Sequence, residues 1–349
     1  MLQLKQFQRE KIDELISSIS KLLHKSGEKK VCVFQSPTGS GKTTMIAVFI
    51  DELLKELPER DMCFVWVSIG KGDLHKQSKK ALEKIFNGFP QCVLVEEEFF
   101  GSRKYIEQNE VVVVNWEKLR TKNNATGDWK NTLMKDGERT NFREVLKTTK
   151  EKRAIILIID ESHFASTTER TQELREIINA DVTIEMSATP TLQPSPIELA
   201  KGNAFYIYVD AKDVIESGLI KKELFINAEI ESISKNEKDS QETILEAAYQ
   251  KRLELKTLFE QENVHINPLV LVQLPNSEAG ETKKEAVEMF LREKSITEVN
   301  GKLAVWLSEE KSEHLEYISN LDNEIEFLIF KQAIDTGWDC PRAHILVKF

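Results

Sequence analysis

Apolar positions in the first part of the chain follow two alternating patterns. Short, uninterrupted apolar runs are typical of strands buried on both faces, and they occur at residues 31–34, 63–67, 92–95, 111–114, 154–159 and 182–186. Segments between the runs, such as 4–23 and 45–57, carry apolar residues at helical spacing. Alternating strands and helices predict a doubly wound α/β domain with a parallel sheet over residues 1–205.

The remainder of the chain predicts a connector and a second domain. Residues 206–265 contain a short strand with a turn, a polar segment and a charged helix, and are interpreted as the connector. Apolar runs resume at 268–274, 302–307, 326–330 and 345–347, which predicts a partial second α/β domain over 266–349. Its last strand has no neighbours downstream, so this domain is expected to be truncated. The polar stretch 121–150 shows no clear period and is predicted to be a surface insertion on the first domain.

Composition narrows the class of protein. The chain has 349 residues, of which 40% are hydrophobic, yet its longest apolar runs are far shorter than the ~20 residues that span a membrane. The first residues lack the apolar core of a signal peptide. Four cysteines stand without metal-binding spacing, and the first two, Cys32 and Cys63, lie inside apolar runs. Together these features predict a cytoplasmic protein without a membrane segment.

Charge gives a mixed indication about nucleic acid. The net charge of -10 argues against a protein that coats nucleic acid through bulk positive charge. A local basic cluster nevertheless follows the run 63–67, and its members are Lys71, Lys76, Lys79, Lys80 and Lys84. Such a cluster is typical either of contacts with a phosphate backbone or of a solvated helix face.

Residues 36–43 read Ser-Pro-Thr-Gly-Ser-Gly-Lys-Thr and lie between a predicted strand and a predicted helix. Glycines let the backbone curl so that N–H groups point at an anion, and the helix adds its positive amino-terminal end. We therefore expect Lys42 to contact the β and γ phosphates of ATP and Thr43 to ligate Mg²⁺. Ser36 stands where the usual pattern has glycine. The other predicted nucleotide-binding residues of this loop are Thr38, Gly39, Ser40, Gly41 and Thr44.

The apolar run 154–159 leads directly into Asp160-Glu161-Ser162-His163. Carboxylates at the end of a buried strand need a partner, and a Mg²⁺ ion beside the Thr43 hydroxyl would provide one. Asp160 is expected to hold the metal, and Glu161 to orient and deprotonate the attacking water. Two adjacent acids are also typical of a solvated turn, but the upstream phosphate loop favours a catalytic site containing Lys42, Asp160 and Glu161.

A third motif, Ser187-Ala188-Thr189-Pro190, follows the run 182–186. The hydroxyls of Ser187 and Thr189 can hydrogen-bond to the turn at 160–163, which would pass a change at the phosphate site to a neighbouring surface. An ordinary turn near a strand end is the alternative.

The order of these three motifs resembles the DEAD/DEAH class of superfamily two helicases. Further segments, at 65–68, 74–78, 114–116 and 330–343, resemble the Res subunit of type III restriction enzymes. The resemblance extends from about residue 7 to residue 349 and is weakest in the polar insertion and the connector.

This resemblance implies a P-loop NTPase with two RecA-like domains that bind ATP between them. Gln8 matches a glutamine that reads adenine, and Gly337 and Asp339 match a second-domain motif that faces the nucleotide. His163 would link the acidic site to Ser187 and Thr189. The positions that match nucleic-acid backbone contacts are Ser68, Lys71, Lys76, Gln77 and Asn115.

The implied function is the ATP-dependent DNA translocase or helicase module of a type III restriction enzyme, acting on duplex DNA beside a methyltransferase subunit. A motif that supplies transition-state arginines and a nuclease domain have no counterpart up to Phe349, so DNA cleavage is not assigned to these residues. Two alternatives remain: another superfamily two enzyme that acts on RNA or in DNA repair, and a truncated or scaffold module that binds ATP without turnover.

Overall fold

A computed structural model describes residues 3–27, 30–68, 74–95, 103–115, 121–122, 129–130, 142–160, 175–221, 237–276, 279–307, 310–313, 315–331, 338 and 340–349. The chain divides into two compact units, unit 1 (Met1–Leu224) and unit 2 (Phe225–Phe349). Residues 206–224 of the predicted connector thus belong to unit 1, and residues 225–265 belong to unit 2.

Unit 1 alternates strands and helices. Its strands are β1 (Val31–Gln35), β2 (Met62–Ser68), β3 (Cys92–Leu94), β4 (Val111–Asn115), β5 (Thr121–Lys122), β6 (Trp129–Lys130), β7 (Ala154–Asp160), β8 (Val182–Ser187) and β9 (Ala204–Tyr208). Its helices are α1 (Gln6–His24), α2 (Lys42–Glu56), α3 (Leu74–Phe86), α4 (Phe142–Lys150), α5 (Pro196–Ala200) and α6 (Ala211–Glu216). Each apolar run of the first domain forms the strand predicted for it.

The main sheet of unit 1 contains seven described strands in the order β3-β4-β2-β7-β8-β1-β9. All of its pairings are parallel. Apolar side chains of α1, α2 and α3 pack on one face, and those of α4 and the helical turn at 175–178 pack on the other. This arrangement confirms the predicted doubly wound α/β domain. The short strands β5 and β6 pair separately and antiparallel.

Helix α4 differs from the prediction of a surface insertion over 121–150. Its buried residues are Phe142, Val145, Leu146 and Thr149, a spacing that places them on one helix face. Phe142, Val145 and Leu146 join the apolar cluster beneath the sheet. The sequence pattern missed this helix because it is only nine residues long and basic residues separate its apolar positions.

Unit 2 contains a smaller parallel sheet. Its elements are α7 (Glu237–Gln261), β10 (Leu269–Gln273), α8 (Ala279–Glu293), β11 (Leu303–Trp306), β12 (Phe327–Phe330) and β13 (Ala343–Lys348). The described strands lie in the order β11-β12-β10-β13. Leu245 and Ala248 of α7 pack into the core of this sheet, so a helix from the predicted connector is part of the second domain.

Two buried arginines hold the amino ends of the unit 2 strands. Arg342 has no exposed surface, and it donates hydrogen bonds to the carbonyl oxygens of Asn267 (2.5 Å), Ile318 (2.8 Å) and Ile325 (2.6 Å). Burial lowers the pKa of Arg342 to about 10. Arg252, 1% exposed, donates to the Pro268 carbonyl oxygen and lies 3.3 Å from a Glu326 carboxylate oxygen.

Within the described ranges, no helix is both long and apolar enough to cross a lipid bilayer.

Candidate active site

The polar residues predicted for the site lie along one edge of the unit 1 sheet. We call this edge, where the parallel strands reach their carboxyl ends, the carboxyl edge. Ser68 is in register with Asn115 on one side and with Asp160 on the other. Ser187 is in register with Gln35, the residue directly before the phosphate loop. Ligands of open α/β sheets bind at this kind of edge, so the topology brings the separate motifs to a single site.

The loop between β1 and α2 has the backbone conformation that its two glycines allow. Gly39 has φ 82° and Gly41 has φ 84°, both in the left-handed region that favours glycine. A β carbon at Gly39 would lie 2.7 Å from Cγ2 of Ile220, and one at Gly41 would lie 2.7 Å from Nε2 of Gln8. Both positions therefore favour glycine for their backbone conformation, and a side chain at either one would also displace Ile220 or Gln8.

Hydrogen bonds within the protein hold this loop in place. The Ser36 amide donates to the Ser187 carbonyl oxygen at 3.0 Å, and the Ser36 and Ser40 hydroxyls lie 2.5 Å apart. Ser36 is fully buried and lies outside the left-handed region, which explains why serine can replace the usual glycine. Lys42 is 8% exposed, and its ammonium donates to the Ser36 carbonyl oxygen at 3.3 Å.

The amino-terminal end of α2 is suited to an anion. Gly41 occupies the cap position, and no side chain caps this end of the helix in the described part of the chain. The 15-residue helix adds a positive partial charge here. Thr38 and Gly39 are exposed, and Thr43 and Thr44 are half-buried in the first turn. These residues fit a phosphate group.

Gln8 joins α1 to the phosphate loop. Its Oε1 accepts from the Lys5 amide at 2.9 Å, and its Nε2 donates to the Ser40 carbonyl oxygen at 2.9 Å. Helix capping, the ordinary role for a glutamine at this position, is therefore observed. Contact with adenine stays a prediction.

Asp160 and Thr43 carry the oxygen atoms predicted to hold Mg²⁺. The half-buried Asp160 ends β7, and its Oδ2 accepts from the Ser78 hydroxyl at 3.4 Å. One strand, β8, lies between β7 and β1, so the two strand axes are about 10 Å apart. Mg²⁺ retains several water ligands in proteins, so one hydroxyl and one carboxylate are donors of suitable chemistry for an ion held partly through water.

The turn after β8 contacts the phosphate loop directly. The buried Ser187 hydroxyl accepts from the Thr189 amide at 3.1 Å and closes the turn. Sequence reasoning missed Gln35, whose Nε2 donates to the Ala188 carbonyl oxygen at 3.1 Å and whose Oε1 accepts from the Tyr206 hydroxyl. Its place at the end of a buried strand, one residue before the loop, is the signal that could have identified it.

The residues predicted to contact nucleic acid differ in exposure. Ser68 and Asn115 are each 3% exposed, Lys76 is half-buried, and Gln77 is exposed. The Asn115 side-chain amide donates to Nδ1 of the fully buried His75 at 3.3 Å. Among the members of this group that the structure describes, Gln77 and Lys76 are thus the accessible ones.

Five predicted site residues lie outside the described residues, namely Glu161, His163, Lys71, Gly337 and Asp339.

Solved structures similar to this chain include two proteins bound to DNA. The ATP-dependent type ISP restriction-modification enzyme LlaBIII has a TM-score of 0.55 and 10% identity, over 99% of this chain and 25% of that chain. The DUF1998 helicase MrfA has a TM-score of 0.50 and 13% identity, over 99% and 44%. A variant of S. cerevisiae Dbp5 bound to Gle1 and IP6 has a TM-score of 0.50 and 13% identity, over 99% and 77%. These similarities show the fold.

No curated protein sequence matches the chain. The family model described as type III restriction enzyme, res subunit, matches residues 1–192. The match contains the phosphate loop, the acidic end of β7 and the Ser187 turn, and confirms the resemblance drawn from these motifs. Because it spans more than half of the chain, this protein belongs to the res subunit family of type III restriction enzymes.

Proposed function

We propose that this chain is the ATP-driven DNA translocase module of a type III restriction enzyme. One observation carries the proposal: the phosphate loop and Asp160 lie on the carboxyl edge of the same sheet, with only β8 between their strands. The loop supplies a buried lysine and an uncapped helix end for phosphates, and Asp160 supplies a carboxylate for a metal ion.

Lys42 and α2 would bind the phosphates of ATP. The Lys42 ammonium donates to a carbonyl oxygen at 3.3 Å, and a phosphate oxygen would be a stronger acceptor because it is charged. Thr43 and Asp160 would hold Mg²⁺, which neutralises charge on the transferred phosphoryl group. Glu161, the residue after Asp160, would orient the attacking water and remove its proton.

Hydrogen bonds also connect the phosphate loop to a neighbouring strand of the sheet. The Ser36 amide and the Gln35 side chain both bond to the turn that contains Ser187 and Ala188. A shift of the loop on ATP binding or hydrolysis would therefore move this turn. His163, Gly337 and Asp339 are proposed to extend this response, as the family motifs imply.

Duplex DNA is the nucleic acid along which this module is proposed to move. LlaBIII and MrfA, which share the fold, are each described as bound to DNA. Ser68, Lys71, Lys76, Gln77 and Asn115 are proposed to contact the DNA backbone. A methyltransferase subunit that reads the recognition sequence is the proposed protein partner. An RNA-acting enzyme and an ATP-binding module without turnover are the competing functions.

Nucleotide affinity tests the phosphate site. Lys42→Ala should weaken binding of a fluorescent ATP analogue with Mg²⁺ by about 30-fold or more, because it removes a buried charge that contacts phosphate. Lys55→Ala is the matched control, since Lys55 lies on the same helix but is exposed and pairs with Asp51. Wild-type affinity in a folded Lys42→Ala variant would contradict the proposal.

The kind of nucleic acid that the chain binds most tightly tests the proposal that it moves along duplex DNA. Fluorescence anisotropy with one sequence prepared as duplex DNA, single-stranded DNA and single-stranded RNA should give the highest affinity for duplex DNA. Tighter binding to RNA would favour the RNA-acting alternative.

A further inference from the structure

The first turn of α3 rests on the carboxyl edge through buried polar side chains. In α3, His75 is fully buried and Ser78 is 7% exposed, and on the edge Ser68 and Asn115 are each 3% exposed. Burying polar groups costs free energy unless they are hydrogen-bonded. An apolar helix face would cover the sheet without that cost, so the polar contacts call for an explanation.

Two hydrogen bonds join α3 to this edge. The Asn115 amide donates to Nδ1 of His75 at 3.3 Å, and the ring nitrogen must be the acceptor because an amide nitrogen only donates. The Ser78 hydroxyl donates to Oδ2 of Asp160 at 3.4 Å. One end of α3 therefore contacts both β4 and β7.

The outward side of the same turn carries the residues proposed to contact DNA. Gln77, next to Ser78 in the chain, is exposed, and Lys76 is half-buried. Lys80 is also exposed, one helical turn further along. A DNA backbone bound by these side chains would contact the same helix that donates the hydrogen bond to Asp160.

We propose that Ser78 is a positioning residue that couples DNA binding on α3 to the metal-binding carboxylate of Asp160. The inference rests on the proposed function and adds a route within unit 1 that does not pass through the Ser187 turn. At 3.4 Å the hydrogen bond from Ser78 to Asp160 is long, so a small movement of α3 can shorten or break it, and its gain or loss can bias the orientation of Asp160. Coupling between two binding sites is reciprocal, so DNA and the metal-bound nucleotide should each change the affinity of the other.

The test measures this coupling by binding, without hydrolysis. The dissociation constant of a fluorescein-labelled DNA duplex is measured with and without Mg²⁺ and a non-hydrolysable ATP analogue, and the ratio of the two values is the coupling factor. Ser78→Ala removes the hydroxyl, and Ser78→Thr retains it. Ser18→Ala is the control, since Ser18 is a buried serine of α1 about 15 Å along the helix from Gln8.

Ser78→Ala should reduce the coupling factor about 3- to 10-fold, while Ser78→Thr and Ser18→Ala keep it within about twofold of wild type. Thermal unfolding verifies that the variants fold. If Ser78→Ala does not fold, Ser78→Cys replaces it, because a thiol of similar size is a much weaker donor.

Two results would overturn the inference alone: a normal coupling factor in folded Ser78→Ala, or an equal loss in Ser78→Thr. A wild-type protein whose duplex affinity does not respond to the nucleotide would instead overturn the proposed function, and this inference with it.

Discussion

Unit 1 and unit 2 both contain parallel sheets, but most of their buried polar groups lie at opposite ends of the strands, with Glu110 before β4 of unit 1 as an exception. In unit 1 the buried Ser36, Lys42, Ser68, Asn115 and Ser187 lie at or just beyond the carboxyl ends of strands. In unit 2 the buried Glu326 and Arg342 directly precede β12 and β13, and Arg252 bonds to the residue before β10. The described carboxyl ends of unit 2 do not include its predicted nucleotide residues.

The hydrogen bonds at the two ends differ in length. Arg342 reaches three carbonyl oxygens at 2.5–2.8 Å, which is strong pairing within the protein. On the carboxyl edge of unit 1 the lengths vary: the Ser36 and Ser40 hydroxyls lie 2.5 Å apart, whereas the bonds of Lys42 with Ser36, of Asn115 with His75 and of Ser78 with Asp160 measure 3.3–3.4 Å. Longer bonds are weaker and are exchanged more easily for bonds to a ligand. We therefore expect a structural role for the amino ends in unit 2, and we propose a ligand-binding role for the carboxyl edge in unit 1.

Removing Arg342 should have the largest effect on stability. Arg342→Ala leaves several buried carbonyl oxygens without their donor, and we expect unit 2 to lose about 3–5 kcal/mol. Hydrogen exchange read by mass spectrometry should localise faster exchange to β10 and β13. ATP-analogue affinity should stay within about twofold. Arg292→Ala, at an exposed position of α8, is the control. The comparison fails if Arg342→Ala abolishes nucleotide binding but leaves exchange in unit 2 unchanged.

A buried ion pair away from the carboxyl edge offers a second test within unit 1. Glu185 in β8 is 1% exposed and pairs with Arg175, whose pKa is lowered by burial. Arg175→Met should lower the free energy of unfolding by about 2–4 kcal/mol, because it leaves a buried carboxylate unpaired. Adding Glu185→Met should restore most of that loss in urea titrations. If the double variant is no more stable than Arg175→Met, the unpaired carboxylate is not the cause of the lost stability.

The rates at which the cysteines are labelled should reveal a smaller effect, which depends on how deeply each thiol is buried. Burial raises the pKa of the Cys32 and Cys63 thiols in unit 1 above the ordinary value of 9.0, so both stay protonated and unreactive at pH 8. Cys92 is half-buried and should be labelled first by a thiol reagent, as read by mass spectrometry. Cys340 is also half-buried, but burial raises the pKa of its thiol, so it should be labelled after Cys92. Arg342→Ala should speed labelling of Cys340 alone. Labelling of Cys32 as fast as Cys92 would contradict this order.

The raised pKa of the Cys32 thiol also makes the stability of the fold depend on pH. A thiol whose pKa is raised in the folded state stabilises the fold fully below pH 9.0, and that contribution is lost as the pH rises further, when the unfolded thiol ionises. The free energy of unfolding should therefore fall less steeply above pH 9 in Cys32→Ala than in wild type.

Sequence patterns were sufficient for most of the fold, for physical reasons. Strands buried on both faces are continuous apolar runs, and the glycines of the phosphate loop are required by the local backbone. Helix α4 was missed because its nine residues make too few turns for a helical period to be recognised in the sequence. The Arg342 cluster joins residues near 267, 318 and 342, and the bond of Ser78 to Asp160 joins residues 82 apart, so both depend on tertiary structure. The same holds for Gln35, whose partners come from β9 and the turn after β8.

Phosphate release from Mg²⁺-ATP, measured with and without duplex DNA in wild type and in Glu161→Gln, tests whether this chain is a DNA-stimulated ATPase. We expect release that duplex DNA stimulates in wild type and that Glu161→Gln abolishes, because the amide cannot accept the proton of the attacking water. ATP binding should persist in that variant. Wild-type protein that binds ATP but releases no phosphate, or a Glu161→Gln variant that releases phosphate as fast as wild type, would contradict this expectation.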